Sequence, residues 1–247
     1  MKSLLCFALL ALAYAAPAIS AADRPNILWL VTEDNVATTV GAYGDSLAKT
    51  PHIDGLAKSG ILFERCYSTS AVCAPTRSSI ITGRYASSMG TQHMRSKQPL
   101  PAGVKFFPEY LRAAGYFTTN NAKTDYNTSS SWDAAWNENN KTAHWRHRAA
   151  GQPFFAIFNF EQSHESSLHK QAAQVTDPAK VRVPAYLPDT PTVRADIAHY
   201  FDNVSRADAA LGKILADLRA DGLAEDTIIF YYGDHGGAVS RSKRFLY

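Results

Sequence analysis

Cysteine is scarce in this chain: three in 247 residues, of which Cys6 falls in an N-terminal apolar run. The remaining pair, Cys66 and Cys73, is too few for a disulfide framework or for a thiolate cluster around a soft metal. An excess of charge of one sign is also lacking. Lysine and arginine total 25 against 22 aspartates and glutamates, a formal net charge of +3. Such a balance does not point to nucleic acid, and attraction to any polyanion would have to be local. Beyond residue 22 no apolar run is long enough to span a bilayer, and there is no internal repeat or sign of a second domain. With 46% hydrophobic residues, the chain can bury one sizeable core.

What is present begins with a leader. Residues 1–22 open with Lys2, run through LLCFALLAL and end on small residues, the layout of a secretory signal peptide. Cleavage is expected near Ala21 or Ala22, with Ala16 the other candidate; one lysine and no acid are lost, so +3 becomes +2. The mature chain is therefore expected to be exported: periplasmic, secreted or, in a eukaryote, lysosomal. Residues 23–247 are expected to form one catalytic domain.

Continuous apolar runs at 26–32, 153–159 and 227–232 predict strands buried on both faces of a sheet. Residues 61–67 and 116–119 predict two further strands. Helices are predicted at 50–60, with Thr50 as N-cap, Pro51 in first position and Gly60 past the end, and at 106–114, ended by Gly115. The longest helical pattern, 192–220, places Ile197, Tyr200, Val204, Leu211 and Leu215 on one face, as core. Strand and helix alternate, which predicts an α/β domain with helices on both faces of a largely parallel sheet. The polar stretch 126–152 carries Trp132, Trp136 and Trp145, suited either to stacking on sugars or to anchoring an insertion. Asn127, Asn140 and Asn203 open glycosylation sequons, relevant in a eukaryotic secretory host.

Chemistry gathers around residues 71–83, AVCAPTRSSIITG. Pro75 donates no backbone hydrogen bond and suits a first helical turn, so Cys73 falls at the start of an amphipathic helix, where amides favour anions. Arg77 lies one turn on, with a fork suited to an oxyanion. Glu33 and Asp34 follow the first strand and Asp234 and His235 the last, at the carboxyl ends where open α/β sheets bind ligands. Adjacent carboxylates suit a hard divalent cation. His164 follows the strand at 153–159, where a near-neutral pKa allows proton transfer. For Cys73 a disulfide with Cys66 is the other reading; for His164, His52 and His93, ordinary surface or packing roles are.

The run Cys73-x-Pro75-x-Arg77 followed by Ile80-Ile81-Thr82-Gly83 resembles the first signature of the type I sulfatases. The likeness extends over most of residues 25–247, with a fainter similarity to heparan N-sulfatases around 153–164 and Lys243. It implies an alkaline-phosphatase-like three-layer sandwich whose C-terminal subdomain is missing from this chain. It implies that a maturation enzyme oxidises Cys73 to formylglycine, and that Ca²⁺ (or Mg²⁺) is held by Glu33, Asp34, Asp234 and His235. A hydroxyl of the hydrated aldehyde would attack sulfur of a sulfate ester or sulfamate, and His164 would assist the leaving group. The second hydroxyl would then expel sulfate and restore the carbonyl. Arg77, Lys123 and Lys243 would offset the charge on the sulfate oxygens. The substrate implied is a sulfated small molecule or glycan. Departures from the family pattern are Glu33 for the usual aspartate, Ala122 for a glycine, and Asp125 where many members carry a histidine. Two other functions fit the same residues: a phosphodiesterase or phosphonate hydrolase of the superfamily, or an inactive, truncated sulfatase-like protein that binds sulfated glycans.

Overall fold

The computed structural model describes residues 24–243, so the expected leader and the last four residues lie outside the described residues. Five strands form one sheet: β1 (Asn26–Thr32), β2 (Phe117–Asn121), β3 (Glu138–Asn139), β4 (Phe154–Phe160) and β5 (Thr227–Gly233), in the order β3-β2-β4-β1-β5. Every pairing is parallel, with Leu30 of β1 opposite Phe158 of β4 and Tyr231 of β5. All strand carboxyl ends therefore open on one side, and the site lies there.

The helices are α1 (Pro51–Ser59), α2 (Cys73–Thr82), α3 (Ala86–Met89), α4 (Pro108–Ala113) and α5 (Pro191–Ala220). They cover both faces. On one, Leu28, Leu30, Phe154 and Phe158 pack against Leu211, Leu215 and Leu218 of α5 and Ile53 of α1. On the other, Val31, Phe155 and Ile157 meet Ile81 of α2, Phe106 and Tyr126. This is the three-layer arrangement expected. A Cβ on Gly212 would come within 2.4 Å of the His52 ring, so that glycine lets α1 lie close on α5, and His52 has a packing role.

Three expectations need correction. Residues 61–67 form no strand; they run irregularly with Ile61 81% and Phe63 65% exposed. The local pattern was apolar, but these residues join neither β3 nor β5, the two edge strands of the sheet. Next, β5 is an edge strand, not a doubly buried one, because β1 pairs with one side and, among the described residues, nothing with the other. Ile228 and Phe230 are each 48% exposed. Third, α2 is not amphipathic. From Cys73 through Ser79 every residue is buried, since the helix is sunk between the sheet and the loops around it. Trp136 and Trp145 settle the other open reading as anchors: both are buried, Trp145 stacking on Phe154 at 5.5 Å while its Nε1 donates to Asp221.

Candidate active site

Cys73 opens α2 after Val72, an extended N-cap residue, and is 4% exposed. The thiol is therefore aimed into the protein at the positive end of a helix. Its Sγ lies 3.0 Å from His235 Nε2 and 3.8 Å from Asp34 Oδ1. Both described cysteines are free, so the Cys66–Cys73 disulfide is not formed.

The carboxylates come from the ends of neighbouring parallel strands. Glu33 and Asp34 follow β1, with Asp34 in the left-handed region at φ 49°, a strained conformation that the surrounding bonds maintain. Its backbone amide donates to Asp234 Oδ1 at 3.1 Å, and Tyr200 of α5 donates to its carbonyl. Ser163 Oγ donates to the Glu33 carbonyl at 2.5 Å, and the Glu165 amide to Asp34 Oδ2 at 2.7 Å. After β5, a Cβ on Gly236 would sit 1.9 Å from the Ser242 carbonyl oxygen. Only glycine allows this approach, and it brings Lys243 back over the site.

Each acid faces a cation. Lys123 Nζ is 2.5 Å from Glu33 Oε2, Lys243 Nζ 2.5 Å from Asp34 Oδ2, and Arg77 Nη1 3.7 Å from Asp234 Oδ2. His164 Nε2 stands 3.8 Å from Glu33 Oε2. The His164 Nδ1 accepts from the Ser166 amide at 3.2 Å, so in the neutral ring the proton sits on Nε2 and faces the site. Burial lowers the His164 pKa and raises that of Glu33 against the opposing pull of Lys123. Burial also works against the charge on Asp34 and on His235. Hydrogen bonds from His235, Lys243 and the Glu165 amide nevertheless hold Asp34 well below its usual range. Asp34 and Cys73 in turn lift His235 to about 10.

All nine residues singled out from the sequence thus converge. Asp125 does not join them; its carboxylate pairs with the exposed Arg95 at 2.8 Å. Sequence reasoning missed Asn159, Ser163, Glu165 and Tyr200. Tyr200 was assigned to the core by its spacing, and no local motif marks the others.

The donor set fits a hard divalent cation. Glu33 Oε1 and Asp234 Oδ2 are buried carboxylate oxygens without a hydrogen-bond partner, as is His235 Nδ1. Leaving such atoms unpaired is costly unless a further group meets them. Ligand-type atoms approach within 4.8 Å of one another in two groups that share Cys73: Glu33 with His164, and Asp34 with His235.

Residues 25–246 match the sequence model of the Sulfatase family. The chain belongs to the sulfatase family. It is 40% identical over 274 aligned residues to an ulvan-active sulfatase of Formosa agariphila, across 91% of this chain and 46% of that protein. It is 26% identical to the human N-sulphoglucosamine sulphohydrolase, across 91% of this chain and 53% of the other. The chain thus spans about half the length of these relatives. Among solved structures, the phosphonate monoester hydrolase of Agrobacterium radiobacter superposes with a TM-score of 0.70 at 17% identity, over 87% of this chain and 63% of that one. A complex with D-glucosamine-2-N,6-O-disulfate superposes at 0.66 and 17% identity, over 86% of this chain and 66% of the other. These two likenesses establish the alkaline-phosphatase-like fold that the sulfatases share.

Proposed function

We propose that this chain carries the sulfate-transfer centre of an exported sulfatase that hydrolyses sulfate esters or sulfamates of glycans, with Cys73 oxidised to formylglycine as the nucleophile. The observation that carries the reading is the setting of Cys73. A buried thiol at a helix start, 3.0 Å from His235 Nε2 and 3.8 Å from Asp34 Oδ1, lies among three carboxylates that are each paired with a cation, Lys123, Lys243 or Arg77. Relatives named for ulvan and for N-sulphoglucosamine support a sulfated sugar as substrate class.

An unmodified thiolate suits the chemistry poorly, since its product would be a thiosulfate with no easy exit. The hydrated aldehyde instead offers one hydroxyl to attack and a second to expel sulfate. Glu33, Asp34, Asp234 and His235 would hold Ca²⁺ or Mg²⁺, which supplies Lewis-acid polarisation of the sulfate oxygens. Around it, Arg77, Lys123 and Lys243 present fixed positive charge to oxygens that gain charge in the transition state. His164 presents Nε2–H towards the leaving group, held by Ser166. His235 Nε2, 3.0 Å from both Cys73 Sγ and Asp34 Oδ1, ties the side chain of residue 73 to the carboxylates.

Protein co-produced with a formylglycine-generating enzyme should show a Cys73 peptide about 18 Da lighter than the thiol form. It should turn over an aryl sulfate or a sulfated oligosaccharide in preference to phosphodiesters. Full sulfatase turnover from protein whose Cys73 is entirely a thiol would defeat the mechanism. Preference for a phosphonate or phosphodiester would defeat the substrate class.

A further inference from the structure

Resting on the sulfatase reading, we infer that Asn159 is a positioning residue that locks the Arg77 guanidinium and the Lys123 loop into one unit. Asn159 sits on β4, one strand over from the carboxylates, and is partly buried. Its Oδ1 accepts from Arg77 Nη2 at 2.5 Å. Its Nδ2 donates to Asn120 Oδ1 at 3.0 Å and to the Asn121 carbonyl at 3.1 Å. Only one orientation of the amide meets these partners. A flipped amide would turn its N–H groups on the guanidinium and its oxygen on two acceptors.

The partners form a closed circuit. Arg77 Nη2 also donates to the Lys123 carbonyl at 3.0 Å, and Nε to the Thr124 carbonyl at 3.1 Å. Asn120 Nδ2 donates to the same Lys123 carbonyl at 3.0 Å and to Asn139 Oδ1 at 2.9 Å. The backbone that carries Lys123 is thus bound to Arg77 directly, and to β4 through Asn159. With Nε and Nη2 held by the scaffold, Nη1 is left facing Asp234 and the site. Both amide hydrogens and an oxygen lone pair of Asn159 are engaged by the protein, which makes it a support and not a substrate ligand. A planar fork held on three fixed acceptors cannot rotate to follow a misplaced substrate. Asn159 therefore sets where two of the three cations sit.

The test compares wild type, Asn159→Ala, Arg77→Lys and the double variant, all with confirmed formylglycine, on an aryl sulfate. Asn159→Ala should lower kcat about 10²-fold with KM changed far less, the scale of loss that a misplacement of about 1 Å produces. In the Arg77→Lys background the same change should cost less than about 3-fold, because coupled residues do not add. Independently of turnover, the Arg77 Nη2 protons should give resolved, slowly exchanging NMR signals, assigned by their loss in Arg77→Lys and broadened in Asn159→Ala. An unchanged kcat, an equal loss in both backgrounds or unaltered Arg77 signals would each overturn this inference while leaving the sulfatase reading intact. A wild type with formylglycine but no turnover of any sulfate ester would overturn the functional reading and this role with it.

Discussion

The two sides of β1 differ in what they leave exposed. Towards β4 and β2 the sheet is covered on both faces, and its carboxyl end holds a polar site in which every acid has a cationic neighbour. Towards β5 it ends, among the described residues, in an edge strand with Ile228 and Phe230 half exposed. Beside it lies a groove of about 1600 Å³ lined by Ile61, Phe63, Ile80 and Ile229. The charged centre is held by ties among four strand ends and α2: Glu33 to Lys123, Asp34 to Lys243 and the Glu165 amide, and Arg77 to Asn159 and the Lys123 carbonyl.

Five tests would break or sharpen that contrast. The largest effect is expected from Cys73→Ala, which removes the nucleophile. Turnover of an aryl sulfate should fall by about 10⁴-fold or more. Metal content and the unfolding midpoint should stay near wild type, which metal analysis and thermal denaturation check. Residual turnover within tenfold of wild type would place the chemistry elsewhere.

On the covered side, Trp145→Ala should cost about 3–5 kcal/mol of stability in a denaturant titration, since it empties a fully buried indole site and removes the Nε1 bond to Asp221. A loss under about 1 kcal/mol would mean that this part of the core is not the closed region described.

Within the site, Arg77→Ala should reduce kcat/KM by about 10²–10³-fold and Lys123→Ala by less, because Arg77 also holds the Lys123 and Thr124 carbonyls. A larger loss from Lys123 would reverse the ranking. Metal analysis adds a separate check: Asp34→Ala combined with Asp234→Ala should release about one equivalent of Ca²⁺ or Mg²⁺. Unchanged metal content would sink the ligand assignment.

The smallest effect is expected at the open edge. Phe230→Lys should change stability by no more than about 0.5 kcal/mol, as for exposed sites in general. By placing a charge on an edge strand it should also reduce self-association in light scattering. A strong loss of stability would show that Phe230 is covered in solution.

Much of this was legible in the sequence because the signals were local. Thr50, Pro51 and Gly60 bracket α1, and Cys73, Pro75 and Gly83 bracket α2, through the backbone preferences of each residue type. Helical spacing located α5, and apolar runs located β1 and β4. Residues 61–67 misled because strand-like composition does not say whether a stretch joins a sheet. β5 misled for a related reason: composition reports that a strand forms, not whether it lies inside the sheet or at its edge.

By itself the sequence determined which side chains bring chemistry and near which element ends they fall, because caps, prolines, glycines and signature spacings act within a few residues. Only the tertiary structure decided that Glu33 meets Lys123, that Asp34 meets Lys243 across 209 positions, and that Asn159 joins Arg77 to the loop after β2. Those pairings depend on strand order and parallel register, which bring distant segments to one edge of the sheet, and no local pattern encodes them.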